Sequence, residues 1–108
     1  MLDNLKIPKY IDPGSPVVTL SIQGIQVQDA LVDLGASINV MTREVMSKLH
    51  IIGLIETQTI LQLVDSSTII LDGMLEDVTI TLHSYDYPID FVVLSPKKGT
   101  GGYPIILG

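Results

Sequence analysis

Short stretches in which apolar and polar residues alternate, broken at regular intervals by turn residues, run through most of this sequence and leave it few folds to choose from. Val18, Leu20 and Ile22 put their apolar side chains on one side of an extended segment, Gln23-Gly24 supplies a turn, and Ile25, Val27, Asp29 and Leu31 then alternate with Gln26, Gln28, Ala30 and Val32. That layout predicts a β-hairpin. Its second strand grows more apolar through Ala30-Leu31-Val32, so the chain approaches a buried interior before the break at Asp33-Leu34-Gly35.

The same grammar returns downstream. Thr59 to Val64 and Thr68 to Leu71, separated by a polar Asp65-Ser66-Ser67 tip, predict a second hairpin. After a break at Gly73, Val78, Ile80 and Leu82 alternate with Thr79 and Thr81; a turn over Ser84 to Pro88 leads into a strand from Ile89 to Leu94, and Ile105-Ile106-Leu107 forms a last one. Between the hairpins, Thr42 to His50 reads as a short helix, with Thr42 as N-cap, Val45, Met46 and Leu49 on one face, and Gly53 shortly beyond. Ile38 to Met41 is an apolar approach to that helix. About seven strands and one short helix indicate an all-β barrel or sandwich.

With 108 residues, one core is expected. Residues 1–16, with three prolines and a glycine between Lys6 and Pro16, read as an N-terminal extended arm, and 17–108 as a single domain. Hydrophobic residues at 46% against 17% charged require a substantial core and exclude a disordered chain. The longest apolar run, Phe91-Val92-Val93-Leu94, is far below the roughly 20 residues of a membrane span. The first residues lack a basic and then apolar leader, so a cytoplasmic location and no membrane partner are the default expectations.

A net charge of −6 argues against nucleic acid, whose binding draws on Lys and Arg. The absence of Cys excludes disulfides, thiolate zinc sites and a cysteine nucleophile, leaving carboxylate, hydroxyl and imidazole chemistry. His50 and His83 have no partners at metal-ligand spacing, and no metal or other cofactor is expected.

An Asp-x-Gly triplet can aim a carboxylate from a tight turn, yet nine Asp and nine Gly in this length produce such a triplet about once by chance. Two occur. Asp12-Pro13-Gly14 is polar and proline-locked, an ordinary turn; Asp33-Leu34-Gly35 follows an apolar run and precedes Ala36-Ser37. A carboxylate entering a core is costly and needs a reason, either catalysis or acceptance of backbone N–H bonds within the turn. Spacing alone leaves both open. A hydrolase triad built on Ser37 finds no placed histidine, Glu76-Asp77 reads as a solvated strand start, Tyr85, Tyr87 and Pro88 as turn packing, and Lys97-Lys98 as a solvated loop.

The run Ala30-Leu31-Val32-Asp33-Leu34-Gly35-Ala36-Ser37-Ile38-Asn39-Val40-Met41 resembles the active-site segment of retropepsin-like aspartic proteinases, especially those of plant gypsy-class long-terminal-repeat retrotransposon polyproteins. Asp12-Pro13-Gly14-Ser15 resembles the opening segment of such domains. Leu61 to Asp65, with Gly73 and Glu76-Asp77-Val78, resembles their flap and following strand, and Phe91 to Leu94 and Pro104 to Gly108 their last core segments. The resemblance implies a closed barrel of the retropepsin (acid protease) type with one short helix. It implies Asp33 as the catalytic residue, Leu34, Gly35, Ala36 and Ser37 as the active-site loop, and Val64, Asp65, Ser66 and Ser67 as a flap over an extended polypeptide substrate.

A two-lobed relative would need about twice this length and a second embedded Asp, so the resemblance implies a homodimer with one Asp33 from each subunit. Leu34 stands where active members usually carry Thr or Ser, whose hydroxyl bonds across the dimer. Family members also usually continue past the Ile-Ile-Leu-Gly segment into a short helix and often a strand that help build the dimer interface, which a chain ending at Gly108 is expected to lack. These departures carry the alternative reading, a weak or inactive retropepsin-fold module that binds peptides or dimerises.

Overall fold

A computed structural model of the chain describes residues 16–33, 38–57, 60–62, 68–95 and 102–108. The N-terminal arm expected over residues 1–16 lies outside the described residues except for Pro16, whose carbonyl accepts the Val32 N–H at 2.9 Å.

The first hairpin forms as the alternation predicts. β1 (Val17–Ile22) and β2 (Ile25–Val32) pair antiparallel around Gln23-Gly24, both at positive φ, which gives the two-residue turn that matches strand twist. The pairing slips once: Val18 faces Ala30 but Leu20 faces Val27, so Gln28 and Asp29 together oppose Thr19. Asp29 takes φ 63°, a left-handed value that Asp tolerates better than most residues. This bulge corrects the strict alternation expected through Asp29. Val27 and Ala30, three apart, both reach the same core, while Leu31 joins a second cluster.

The apolar approach expected ahead of the helix is itself a strand, β3 (Val40–Thr42), buried throughout. α1 (Arg43–Lys48) follows, and the Thr42 hydroxyl accepts the Val45 N–H at 3.3 Å, the N-cap expected from sequence. Met46 and Leu49 turn inward, and the chain leaves the helix through His50 at φ 54°. A two-residue strand, β4 (Ile55–Glu56), precedes the second hairpin, β5 (Ile60–Gln62) and β6 (Thr68–Ile70), which pair as a separate two-stranded sheet.

β7 (Gly73–Leu82) and β8 (Tyr85–Leu94) are longer than the sequence predicts. A second bulge explains the first discrepancy. Leu75 faces Phe91 and Val78 faces Ile89, so Glu76 and Asp77 both oppose Asp90; Asp77 adopts φ 53°, and its N–H donates to the Asp90 carboxylate at 2.9 Å. Glu76 and Asp77 are exposed, as expected, but in mid-strand. The turn expected over Ser84 to Pro88 is instead His83-Ser84, both at positive φ. Tyr85, Tyr87 and Pro88 belong to the strand. Pro88 is tolerated because β3 pairs only with Val92 to Leu94, leaving the earlier half of β8 paired on one side among the described residues.

β9 (Ile105–Leu107) completes the architecture. It runs parallel to β2 and antiparallel to β3; β3 runs parallel to β8, β8 pairs β7, and β7 returns to β1 through Ser21 with Thr81 and Ile22 with Ile80. Six strands therefore close into a barrel, in the order β1-β2-β9-β3-β8-β7, with β4 added beside β7. Among the described residues no helix is long and apolar enough to cross a membrane.

Leu20, Ile22, Met41, Leu75, Ile80, Phe91, Val93, Ile105 and others fill one cluster; Leu31, Val40, Leu71, Val92, Leu94 and Ile106 make a smaller one. Successive residues of Val40-Met41, Phe91 to Leu94 and Ile105 to Leu107 go to opposite clusters, so both faces of β3, β9 and the last four residues of β8 are buried. That is why they read as unbroken apolar runs. Fully burying each such side chain contributes about 1.5–3 kcal/mol.

Gly73 is buried where β7 meets both β4 and β8, and a Cβ there would collide with the Ile55 carbonyl oxygen and the Leu54 side chain. Gly73→Ala is expected to lower stability by about 1–3 kcal/mol in urea unfolding, and an unchanged midpoint would show that β4 yields freely.

Candidate active site

Asp33 lies immediately beyond β2, and its position follows from how three strands meet. β2 runs parallel to β9 with Val32 opposite Leu107, and β3 runs antiparallel to β9 with Val40 opposite Ile106. The connection from β2 to β3 must therefore cross the C-terminal end of β9. Asp33 begins that crossing, 9% exposed, with its N–H donating to the Leu107 carbonyl at 2.9 Å. The burial expected from the Ala30-Leu31-Val32 run is present: Ala30 and Leu31 are fully enclosed.

The other end of the crossing is held by Asn39. Its Oδ1 accepts the Gly108 N–H at 3.0 Å, its Nδ2 donates to the Asp90 carbonyl at 3.3 Å, and its own carbonyl accepts the Val92 N–H at 2.9 Å. Three residues further along, at the end of β3, the Thr42 N–H donates to the Pro104 carbonyl at 3.1 Å. Backbone and side-chain bonds thus tie the segment around Asp33 to β8 and β9. A carboxylate on so fixed a backbone can serve as general acid or base, because catalytic proton transfer needs the group held within hydrogen-bond reach of its target.

Leu34, Gly35, Ala36 and Ser37, expected as the active-site loop, lie outside the described residues. So do Val64, Asp65, Ser66 and Ser67, expected as the flap tip. The strands of the expected second hairpin are described, and they pair antiparallel, Ile60 with Ile70, Leu61 with Ile69 and Gln62 with Thr68. His50 and His83 both sit at exposed turn positions. Among the described residues no group of three or more His, Cys, Asp or Glu could hold a metal ion.

Two residues that sequence reasoning did not single out shape the site's frame. Asn39 is one; its signal was an amide at the mouth of an apolar run, where a side chain must replace ladder bonds. Asp72 is the other, between β6 and β7. Its N–H donates to the Val93 carbonyl at 2.9 Å, its carboxylate accepts the Ser95 hydroxyl at 3.2 and 3.3 Å, and Arg43 Nη1 lies 3.4 Å away. With Leu71 buried beside it, Asp72 joins the hairpin to the first turn of α1 and the end of β8.

No family model matches this chain, and no curated protein matches it in sequence. Among solved structures it is similar to the crystal structure of the retroviral protease-like domain of Ddi1 from Leishmania major. That match has a TM-score of 0.64 at 18% sequence identity and covers 85% of this chain and 70% of that one. The fold is therefore that of a retroviral protease-like domain, the closed barrel with one short helix that the sequence resemblance implied.

Asp72→Ala removes a partly exposed carboxylate with two side-chain partners, and is expected to cost about 0.5–1.5 kcal/mol. The backbone amides of β6 should then exchange faster than those of β1; uniform exchange across both strands would mean that Asp72 does not anchor the hairpin.

Proposed function

We propose that this chain is an aspartic endopeptidase domain of a retroelement polyprotein, of the plant gypsy class, working as a homodimer. The observation that carries the reading is Asp33, buried at the crossing over β9 with its backbone fixed, in a barrel of the retroviral protease-like type. The run from Ala30 to Met41 supports the family and the retroelement source.

In this reading each chain supplies one Asp33, and the pair meets on a two-fold axis. Two carboxylates about 3 Å apart cannot both ionise cheaply, so the dyad holds one proton between them. The ionised member takes a proton from water as the water attacks the scissile carbonyl carbon. The protonated member gives its proton to the carbonyl oxygen, which makes a gem-diol; as the C–N bond breaks, the proton taken from water passes to the departing amine nitrogen and one gem-diol hydroxyl returns its proton to the other carboxylate, leaving a carboxylic acid and a dyad that again holds one proton. No covalent intermediate forms on the protein. The β5–β6 hairpin, whose residues 63–67 form its tip in sequence, closes over an extended polypeptide and pairs with its backbone.

A shared proton fixes the direction of the pH dependence. As pH rises, the proton is lost and activity falls; at sufficiently low pH both carboxyls are protonated and the base is lost. Cleavage of an unfolded protein substrate is expected between about pH 4 and 6, inhibited by a statine-type transition-state mimic. Asp33→Asn should lower the rate at least about 100-fold while leaving the fold intact. Turnover surviving in Asp33→Asn would refute the assignment.

Leu34 favours a second reading, a module of the same fold that binds peptides or dimerises without turnover, because leucine cannot supply the hydroxyl that would bond across the dimer. Leu34→Thr distinguishes the two. If the missing hydroxyl limits assembly, the substitution strengthens the dimer about fivefold in sedimentation equilibrium, equivalent to about 1 kcal/mol. Unchanged dimer affinity and unchanged rate would show that leucine is accommodated.

A further inference from the structure

We infer that Asn39 is a positioning residue for Asp33, acting through a side-chain clamp on the end of β9. Its catalytic consequence rests on the aspartic endopeptidase reading; the clamp itself rests on hydrogen bonds. The segment between β2 and β3 is pinned at both ends by consecutive residues of one strand end. Leu107 accepts the Asp33 N–H at 2.9 Å, and Gly108 donates its N–H to Asn39 Oδ1 at 3.0 Å.

The other half of the Asn39 amide faces the opposite neighbour of β3. Nδ2 donates to the Asp90 carbonyl at 3.3 Å, and the Asp90 carboxylate accepts the Asp77 N–H at the β7 bulge. One short side chain therefore spans from β9 to β8 across the mouth of β3, where the backbone ladder begins. The task needs an acceptor on one side and a donor on the other, within a side chain of this length. Asparagine meets it; aspartate lacks the donor, leucine lacks both, and serine is shorter. The amide orientation follows from its partners, since Oδ1 faces an N–H and Nδ2 a carbonyl.

A bond of this kind is modest in net stability, yet it bears on placement. Leu107 is the residue that fixes the Asp33 backbone, and Gly108 is next to it, so freeing Gly108 frees the strand end on which Asp33 hangs. Displacing a catalytic group by about 1 Å can reduce rate about 100-fold without unfolding anything.

The test is amide hydrogen exchange on the full chain, with kinetics alongside. In Asn39→Ala the Asp33 amide should exchange about tenfold faster, while the amides of Ile80 and Phe91 in the barrel stay unchanged. Asn39→Asp keeps the acceptor for Gly108 and should hold Asp33 exchange within about threefold of the original. Gly108→Pro removes the same bond from the other partner with Asn39 intact, and should reproduce the Asn39→Ala effect even if Asn39→Ala fails to fold.

In peptide cleavage, Asn39→Ala should lower kcat at least about tenfold with KM within about threefold. Unchanged Asp33 exchange in Asn39→Ala or Gly108→Pro would overturn the clamp. So would a change shared equally by Ile80 and Phe91, the mark of a merely structural role. If the original chain cleaves nothing, the enzyme reading fails, and the exchange comparison still decides the clamp.

Discussion

Closure of the barrel depends on Ile105 to Leu107, three buried residues that pair with β2 on one side and β3 on the other. The β2 and β3 edges meet nowhere else among the described pairings, so β9 is the strand that converts an open sheet into a ring. Its side chains enter both apolar clusters, Ile105 and Leu107 the larger and Ile106 the smaller. At about 1.5–3 kcal/mol each, three such burials are comparable with the whole net stability of a typical small domain. The same strand holds the Asp33 backbone and, through Pro104 just before it, the start of α1. Packing and site geometry therefore share one support.

Much of the barrel was legible because its strands obey simple rules. Val18, Leu20 and Ile22 keep period two, Gln23-Gly24 makes the turn that its residue types favour, and Thr42 caps a helix whose inward face is spelled by Met46 and Leu49. The misreadings have physical causes. Bulges at Asp29 and Asp77 insert a residue, so Val27 and Ala30, or Leu75 and Val78, share a core at a spacing of three that no alternation rule finds. β3 was hidden because three residues leading directly into a capped helix resemble its approach. The turn was placed at Ser84 to Pro88 rather than His83-Ser84 because neither of those two residues advertises the positive φ it adopts, whereas Pro88 suggested a turn and is accommodated on a half-paired strand.

The candidate site was legible in a different manner. Composition and spacing bring attention to Asp33 but do not decide between a structural carboxylate and a catalytic one. The longer run from Ala30 to Met41 points to the retropepsin-like reading, and the fold agrees with it at the level that 18% identity supports. The roles of Asn39 and Asp72 were not legible because their partners lie 69, 51 and 23 residues away and become neighbours only when β9 and β8 are in place.

The central claim is that Asp33 is half of a two-chain dyad, and the most direct measurement is a crystal structure of the chain bound to an extended peptide mimic with a statine-type hydroxyl. The account predicts two copies around a two-fold axis, both Asp33 carboxyls within hydrogen-bond reach of that hydroxyl and about 3 Å from each other. A mimic bound by a single chain, or by two chains whose Asp33 side chains lie far apart, would contradict it.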